Sequence, residues 1–527
     1  LGDVYKRQKY SNRMRIYKTL MNKTFIYLLI AVLAACKSTP YSDETTKSDL
    51  RAPAYPLLTL HPHVKLWSMT DELNKQNMTF GGSTQLPFVG FLRVDGAMYR
   101  FMGSKELPMQ AIAPMALDHE KWEGKFTSLV PDEGWEQPDF DDKYWQLSEG
   151  AFGTPGMWEA RTQWTSSNIW VRREVEVDPY LLEHKKIYLR YSHDDVFQLY
   201  VNGMQLVSTG YEWKSDLRVN IPDSIAETMK DGKAVIAAHC ENRMGGALVD
   251  FGLYAELREA EQTSVDVQAT QTHYTFECGD VELKLSFTAP YLLDDLKTLA
   301  RPVNYISYQA KALDGKEHDV AIYFEMDPHK AFRAGQSTEM YEKDGWVMMK
   351  TGRENQKLWV DKLKDAPAWG YFYLGAKENV TCAQGDAAEM RAHFMKEGDL
   401  KEMRRSNEKR YAAIAQKLEM NSEFPQHLIA AFDGLYTMAY FGEDLRPYWN
   451  KDGDKTIEGL YEDAEKVYKE TMARCYAFDR QLMENACRVG GKEYAELCAS
   501  AYRQAVSSFQ MSKNSSDELL YFTCLLY

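Results

Sequence analysis

The side-chain pattern of this chain changes its period once, and that change limits the fold more than any single motif does. Over roughly residues 51–375, apolar side chains alternate with polar ones, as in the runs 186–191, 196–201, 273–277, 281–287, 303–308 and 320–325. A period of two belongs to a strand with one buried face, and its repetition over four or more runs predicts a large antiparallel sandwich. Two turns, Asp95-Gly96 within 88–101 and Asn202-Gly203 after 196–201, supply the positive φ that tight hairpins need. After Lys396 the pattern changes. The stretch 397–418 is charged and helix-prone, and 424–441, 456–488 and 492–511 carry apolar residues at spacings of three and four. Gly442, Gly453 and Gly490-Gly491 stand where helices stop.

These patterns predict a multidomain β + α chain. Residues 51–108 and 260–378 form a β-sandwich that the β-domain 109–259 interrupts, 379–419 is a linker helix, and 420–527 opens a helical domain. A length of 527 residues suits three or four domains. Lys and Arg total 63 against 77 Asp and Glu, so a net charge of -14 repels phosphate backbones and excludes nucleic acid as the expected partner. Cys240, Cys278, Cys382, Cys475, Cys487 and Cys498 make no C-x-x-C or His-Cys spacing. No metal or other cofactor is indicated, and the pairing of these cysteines stays open.

From Met21 the chain reads as a signal peptide: Lys23, an apolar run over 25–35, then Cys36. That run has 11 residues, and a helix needs about 20 to cross a bilayer. Leu33-Ala34-Ala35-Cys36 resembles the lipobox of bacterial lipoproteins, which implies lipidation of Cys36, export, and anchoring at the periplasmic or outer-membrane surface. Residues 37–50 are then a solvated tether. Residues 1–20 precede the signal, and 1–8 resemble translated sequencing adaptor, as does 524–527.

Within 109–259, the residues Trp135, Pro138, Asp139, Asp142, Trp145, Trp170, Arg173, Asp194, Asp195, Tyr200, Gly203, Asn242 and Gly246 resemble the galactose-binding-like jelly roll at the front of β-galactosidase-type glycoside hydrolases. That resemblance covers about 150 residues. It implies sugar stacking or hydroxyl binding by Trp164, Trp170, Asp194 and Asp195; core tryptophans and turn-capping acids are the structural alternative. A longer, ordered set resembles the glutaminase A family: 51–56, 66–68, 93–96 with 99–103, 301–305, 313–315 with His318, 440–442, 447–449, Phe478-Asp479, 490–495 and 502–505. It covers nearly all of 50–522. It implies an N-terminal β-domain before a helical domain, and hydrolysis of glutamine or a related amide.

No G-x-S-x-G elbow provides a nucleophile. The carboxylates Asp433, Glu443, Asp444 and Asp479 are the catalytic candidates, because glycosidic hydrolysis needs two of them at a set gap. On a helix, Asp433, Tyr436 and Tyr440 fall at i, i+3 and i+7, an acid beneath two phenols. The plainer alternative packs the tyrosines and pairs the acid with Arg446 or Arg474. Tyr436, Tyr440 and Trp449 are the ligand-contact candidates, with 443–449 as the preferred loop. The expectation is an exported hydrolase acting on a small-molecule amide, or else a glycoside hydrolase or carbohydrate-binding lipoprotein. Its helices would open an (α/α) toroid of the six-hairpin glycosidase kind. A partial toroid leaves apolar helix faces uncovered, so this chain alone is expected to be inactive and prone to aggregate.

Overall fold

The computed structural model describes residues 47–523, apart from 50, 81–83, 104–108, 119, 158–159, 178, 180–181, 183–185, 257, 329–335, 357, 359–368 and 402–410. The signal sequence and Cys36 lie outside the described residues. The chain divides between Lys47 and Ser48, and every element below belongs to the second part. Among the described residues no helix is long and apolar enough to cross a membrane.

Strands dominate. The main sandwich pairs a six-stranded sheet with an eight-stranded one. Phe88–Val94 and Ala97–Met102 form the hairpin expected at Asp95-Gly96, where φ is 49° and 83°. Phe88–Val94 then pairs antiparallel with Val320–Met326. Strands from either side of residues 109–256 therefore share one sheet. The eight-stranded sheet runs from Glu261–Val267 through Gln271–Cys278, Val281–Thr288 and Val303–Ala312 to Gln426–Asp433, and on to Gln336–Lys343 at its far edge. Between the sheets lies a core that includes Phe101, Phe276, Phe287, Phe324 and Phe432.

Residues 109–256 fold as a second sandwich, two six-stranded sheets around their own core of Trp122, Phe152, Phe197 and Phe251. One outer face is latched by a buried ion pair. Arg172 Nε donates to Asp142 Oδ2 at 2.9 Å while its Nη1 donates to the Gln137 carbonyl at 2.9 Å. Trp135 lies against Trp145 on the same loop and against Tyr200 on strand Val196–Val201. The motif residues of this region thus fasten a loop to a sheet.

The region after Lys396 corrects three expectations. The stretch 424–441 is not a helix. Gln426–Asp433 is an interior strand of the eight-stranded sheet, and Met438–Tyr440 pairs with Glu443–Leu445 across a turn at Phe441 and Gly442. The linker helix over 379–419 is replaced by a strand, Val380–Gly385, a helix, Ala387–Glu397, and another strand, Tyr411–Lys417. The helix expected over 492–511 ends at Val506, and Phe509–Lys513 is a strand paired with Leu519–Thr523. One physical reason covers the two misread strands. Leu428, Ala430 and Phe432 face the main core while Ile429 and Ala431 face a second one; Tyr411–Lys417 likewise has Ala412 and Ile414 on one side and Ala413 and Ala415 on the other. A strand buried on both faces shows no alternation, and a run of alanines reads as helix.

The helices Ile457–Lys466, Tyr468–Gly490 and Lys492–Val506 lie where periodicity puts them, with a break at Val467. Thr456 caps the first, its Oγ1 accepting from Gly459 N at 3.2 Å. Ile457, Leu460, Tyr461 and Ala464 make an i, i+3, i+4, i+7 stripe that covers the outer face of the eight-stranded sheet, with Tyr461 edge-on to Trp346 at 5.0 Å. These helices pack on a sheet and on one another.

Candidate functional site

A cavity of about 350 Å³ opens where the sandwich meets the helices. Its wall is built from the turn 59–62, the segment 290–304, the end of strand Gln426–Asp433 with the turn after it, Pro447 with Trp449, and the end of helix Lys492–Val506. Asp295 fixes one side. It caps the short helix Leu296–Leu299 and receives Arg474 Nη1 at 2.8 Å. Burial works against its charge, but Arg474 and Thr298 prevail and hold its carboxyl down to about 2. Tyr291 donates its hydroxyl to the Thr59 carbonyl, tying two walls together.

Most of the lining is apolar, so the few polar groups matter. Arg301 is buried in the wall and its side chain also bonds Tyr305. Trp449 is buried, and its Nε1–H has no hydrogen-bond partner among the described residues; neither has Thr59 Oγ1. An unmet buried donor costs about 1–3 kcal/mol, and both atoms are closed off in the packed wall instead of facing the open space. Burial, helped by His63 and Lys65, lowers His61 to about 3, and the imidazole is neutral at ordinary pH. Arg301 is the one charged residue that the cavity offers to an oxygen-rich ligand.

Of the candidates named from sequence, Tyr436 and Trp449 line this cavity. The hydroxyl of Tyr436 accepts from Arg446 Nη2 at 3.2 Å, and the guanidinium lies 4.7 Å from its ring centre. Asp433 ends its strand between two lining residues, Phe432 and Gly434, and accepts from Leu435 N at 3.0 Å. Burial raises its carboxyl; Leu435 N, Arg446 and Lys350 oppose the shift. A carboxyl that holds its proton more tightly suits general-acid work. The helical face of Asp433, Tyr436 and Tyr440 does not exist, since the three sit on a strand, a turn and a hairpin. Arg474 pairs with Asp294 and Asp295 rather than with Asp433.

The other candidates lie apart. Tyr440 packs edge-on to Phe441 and Phe522. Glu443 accepts from Ser515 N and Oγ at 2.9 and 2.6 Å, contacts that lower its carboxyl, and Asp444 is exposed. Trp164 and Trp170 are only 2% and 8% exposed; Trp164 sits in a core, and Trp170 stacks on His239 at 4.6 Å. Their faces are closed to a sugar. Asp194 and Asp195 stand at one end of the second sandwich, Asp195 accepting from Arg243 N and Met244 N at 2.7 and 3.1 Å. The sequence reading missed Arg301 as a site residue although it opens the 301–305 motif.

Asp479 is a fastening between helix and sheet. With Thr471, Cys475 and Met483 it falls on the buried stripe of Tyr468–Gly490, a spacing that could have identified it. It accepts from Thr270 N at 2.8 Å and Thr270 Oγ1 at 2.7 Å. Burial pushes its carboxyl up to about 7 from 3.8, against the pull of Thr270 and Arg503.

A sequence-family profile described as a domain of unknown function (DUF5127) matches residues 270–485, and a second, also of unknown function (DUF4964), matches 30–114. Glutaminase A of Aspergillus oryzae is 22% identical over 281 residues, 49% of this chain and 40% of that protein. The chain therefore spans well under half the length of this curated relative. Among solved structures, a glycosyl hydrolase family 2 member from Bacteroides cellulosilyticus is 12% identical over 51% of this chain and 34% of its own, with a TM-score of 0.21. Ruminococcus gnavus β-glucuronidase in complex with uronic isofagomine is 14% identical over 53% and 43%, at 0.20. At such TM-scores no residue correspondence follows.

Because the raised group is an acid, folded Asp479 keeps a proton that the unfolded chain releases, so stability falls as pH climbs from about 4 to about 7. Asp479→Asn, with no charge to bury, is expected to flatten that decline, gaining on the order of 3 kcal/mol on the parent between about pH 4 and pH 8. Urea unfolding at both pH values checks it; parallel profiles would contradict the assignment.

Proposed function

We propose that this chain is part of an exported hydrolase that releases ammonia from glutamine or a related amide, with the cavity beside Trp449 contributing to substrate binding. The likeness to Glutaminase A carries the reading, since it extends over 281 residues. The cavity chemistry agrees with it. Amide hydrolysis develops negative charge on a carbonyl oxygen, and preorganised donors in a site closed to water stabilise that charge. Arg301 is such a donor in the cavity wall, and Asp433, between the lining residues Phe432 and Gly434, is an acid whose burial favours its protonated form. In the longer protein the three C-terminal helices would open an (α/α) toroid, and the 109–256 sandwich would be a galactose-binding-like jelly roll.

The second reading is a glycoside hydrolase or carbohydrate-binding protein, favoured by the exposed aromatic residues and paired aspartates of the 109–256 sandwich.

The test is ammonia release from glutamine against reducing-sugar release from a glycan panel, with the full-length protein. Ammonia release is the expected result, and Arg301→Gln, which removes the cation from the cavity wall, should lower kcat by about tenfold with KM little changed. An unchanged kcat removes the cavity from the account, and sugar release without ammonia selects the second reading. Membrane attachment rests on Cys36. Cys36→Ser is expected to move the protein from the membrane fraction to the soluble one, and a variant that still sediments with membranes would end the lipid-anchor proposal.

A further inference from the structure

The cavity beside Trp449 has an apolar mouth. Three large apolar side chains of its lining are also open to solvent: Leu293 is 55% exposed, Phe509 43% and Tyr521 52%. They come from two segments. Leu293 lies just before the short helix Leu296–Leu299, while Phe509 and Tyr521 stand on the two strands of the C-terminal hairpin. In that hairpin Tyr521 is directly opposite Met511, another lining residue. Residues that both line the cavity and meet water form its rim. An apolar rim continuous with a cavity gains free energy when a ligand's apolar group covers it.

Charge limits the occupant further. Among the described lining residues only Arg301 is charged, because burial keeps His61 neutral. The acids that adjoin the lining are committed elsewhere. Asp294 and Asp295, after Leu293, both pair with Arg474. Asp433, between Phe432 and Gly434, is pushed by burial toward its neutral form. An ammonium group entering this cavity would meet apolar walls and a cation, and a charge taken out of water without a partner is strongly disfavoured.

Free glutamine carries such an ammonium beside its carboxylate. Acylation of the amine removes the positive charge, keeps the carboxylate and supplies apolar atoms to the rim. The ligand's net charge is then opposite in sign to Arg301. At about 350 Å³ the cavity is of the size that buries most of a small ligand, and not the reacting amide alone.

We propose that the cavity selects glutamine whose α-amino group is acylated by an apolar group, the acyl chain covering Leu293, Phe509 and Tyr521. The glutamine part rests on the hydrolase reading above, whereas the selection is a property of binding and is measured without turnover.

Isothermal titration of the full chain compares L-glutamine, N-acetyl-L-glutamine and N-hexanoyl-L-glutamine, and ammonia release from the same three compounds by the full-length protein is measured beside it. Affinity should rise by at least about tenfold from glutamine to the acetyl compound, and by at least about tenfold again to the hexanoyl one. Phe509→Ser combined with Tyr521→Ser should cancel the second rise and keep the first. Leu293→Ser, on a different segment, should reduce the second rise too, and it carries the test if the hairpin variant does not fold. Tyr144→Ser, 89% exposed on the other sandwich, should change neither, and circular dichroism shows which variants are folded. Absence of binding, absence of either rise, or full hexanoyl affinity in a folded rim variant overturns the proposal. Turnover of free glutamine with kcat/KM equal to that of the acylated compounds overturns the selection and leaves the hydrolase reading. Binding in the expected order without ammonia release supports the selection and overturns the hydrolase reading.

Discussion

Strand Gln426–Asp433 has no face turned to water. Its even-numbered side chains Leu428, Ala430 and Phe432 close the core between the two sheets, and Ile429 and Ala431 form the floor on which the helices rest. The Tyr461 hydroxyl reaches across that floor to the Ile429 carbonyl at 2.9 Å, and Tyr468 stacks on His427 at 3.6 Å. Emptying a position such as Ile429 costs about 2–5 kcal/mol, a large share of the roughly 5–15 kcal/mol by which a domain is stable. Through this strand the sandwich and the helices hold each other in place.

The cavity is a consequence of that arrangement. The strand ends at Asp433, the chain turns through Gly434 and Tyr436, and a hairpin and Pro447 return it so that Trp449 packs on the same floor. Apolar walls lower the local dielectric, which strengthens each donor inside and makes each unmet donor costly. Arg301 therefore biases the cavity toward an oxygen-bearing ligand before any substrate is named. The second sandwich is separate in its energetics, with its own core and its own buried Arg172–Asp142 latch.

Legibility in the sequence followed exposure. Strands with one wet face announced themselves by alternation, and the Asp95-Gly96 and Asn202-Gly203 hairpins by their turn residues. The amphipathic helices were equally readable, because one side of each meets solvent. Of the strands covered on both sides, Val320–Met326 was read as a strand, but Gln426–Asp433 and Tyr411–Lys417 were not, since nothing polar interrupts Leu428 to Phe432 or Ala412 to Ala415. The same limit applies to the site. Tyr436 was found on a mistaken helix face, and Trp449 in a loop, where aromatics are conspicuous. Arg301 and Thr59 were not, since burial and an absent partner are properties of three dimensions. Trp164 and Trp170 are buried, which agrees with the core role the sequence had left open beside sugar stacking.

The central claim is that one doubly covered strand makes the main sandwich and the C-terminal helices a single cooperative body. Native-state hydrogen exchange measures this directly. The amides of Gln426–Asp433 and those of the helices at 460–475 should open together, with one free energy and one dependence on denaturant. Helix amides that exchange through a separate, cheaper opening while the strand stays protected would contradict the account.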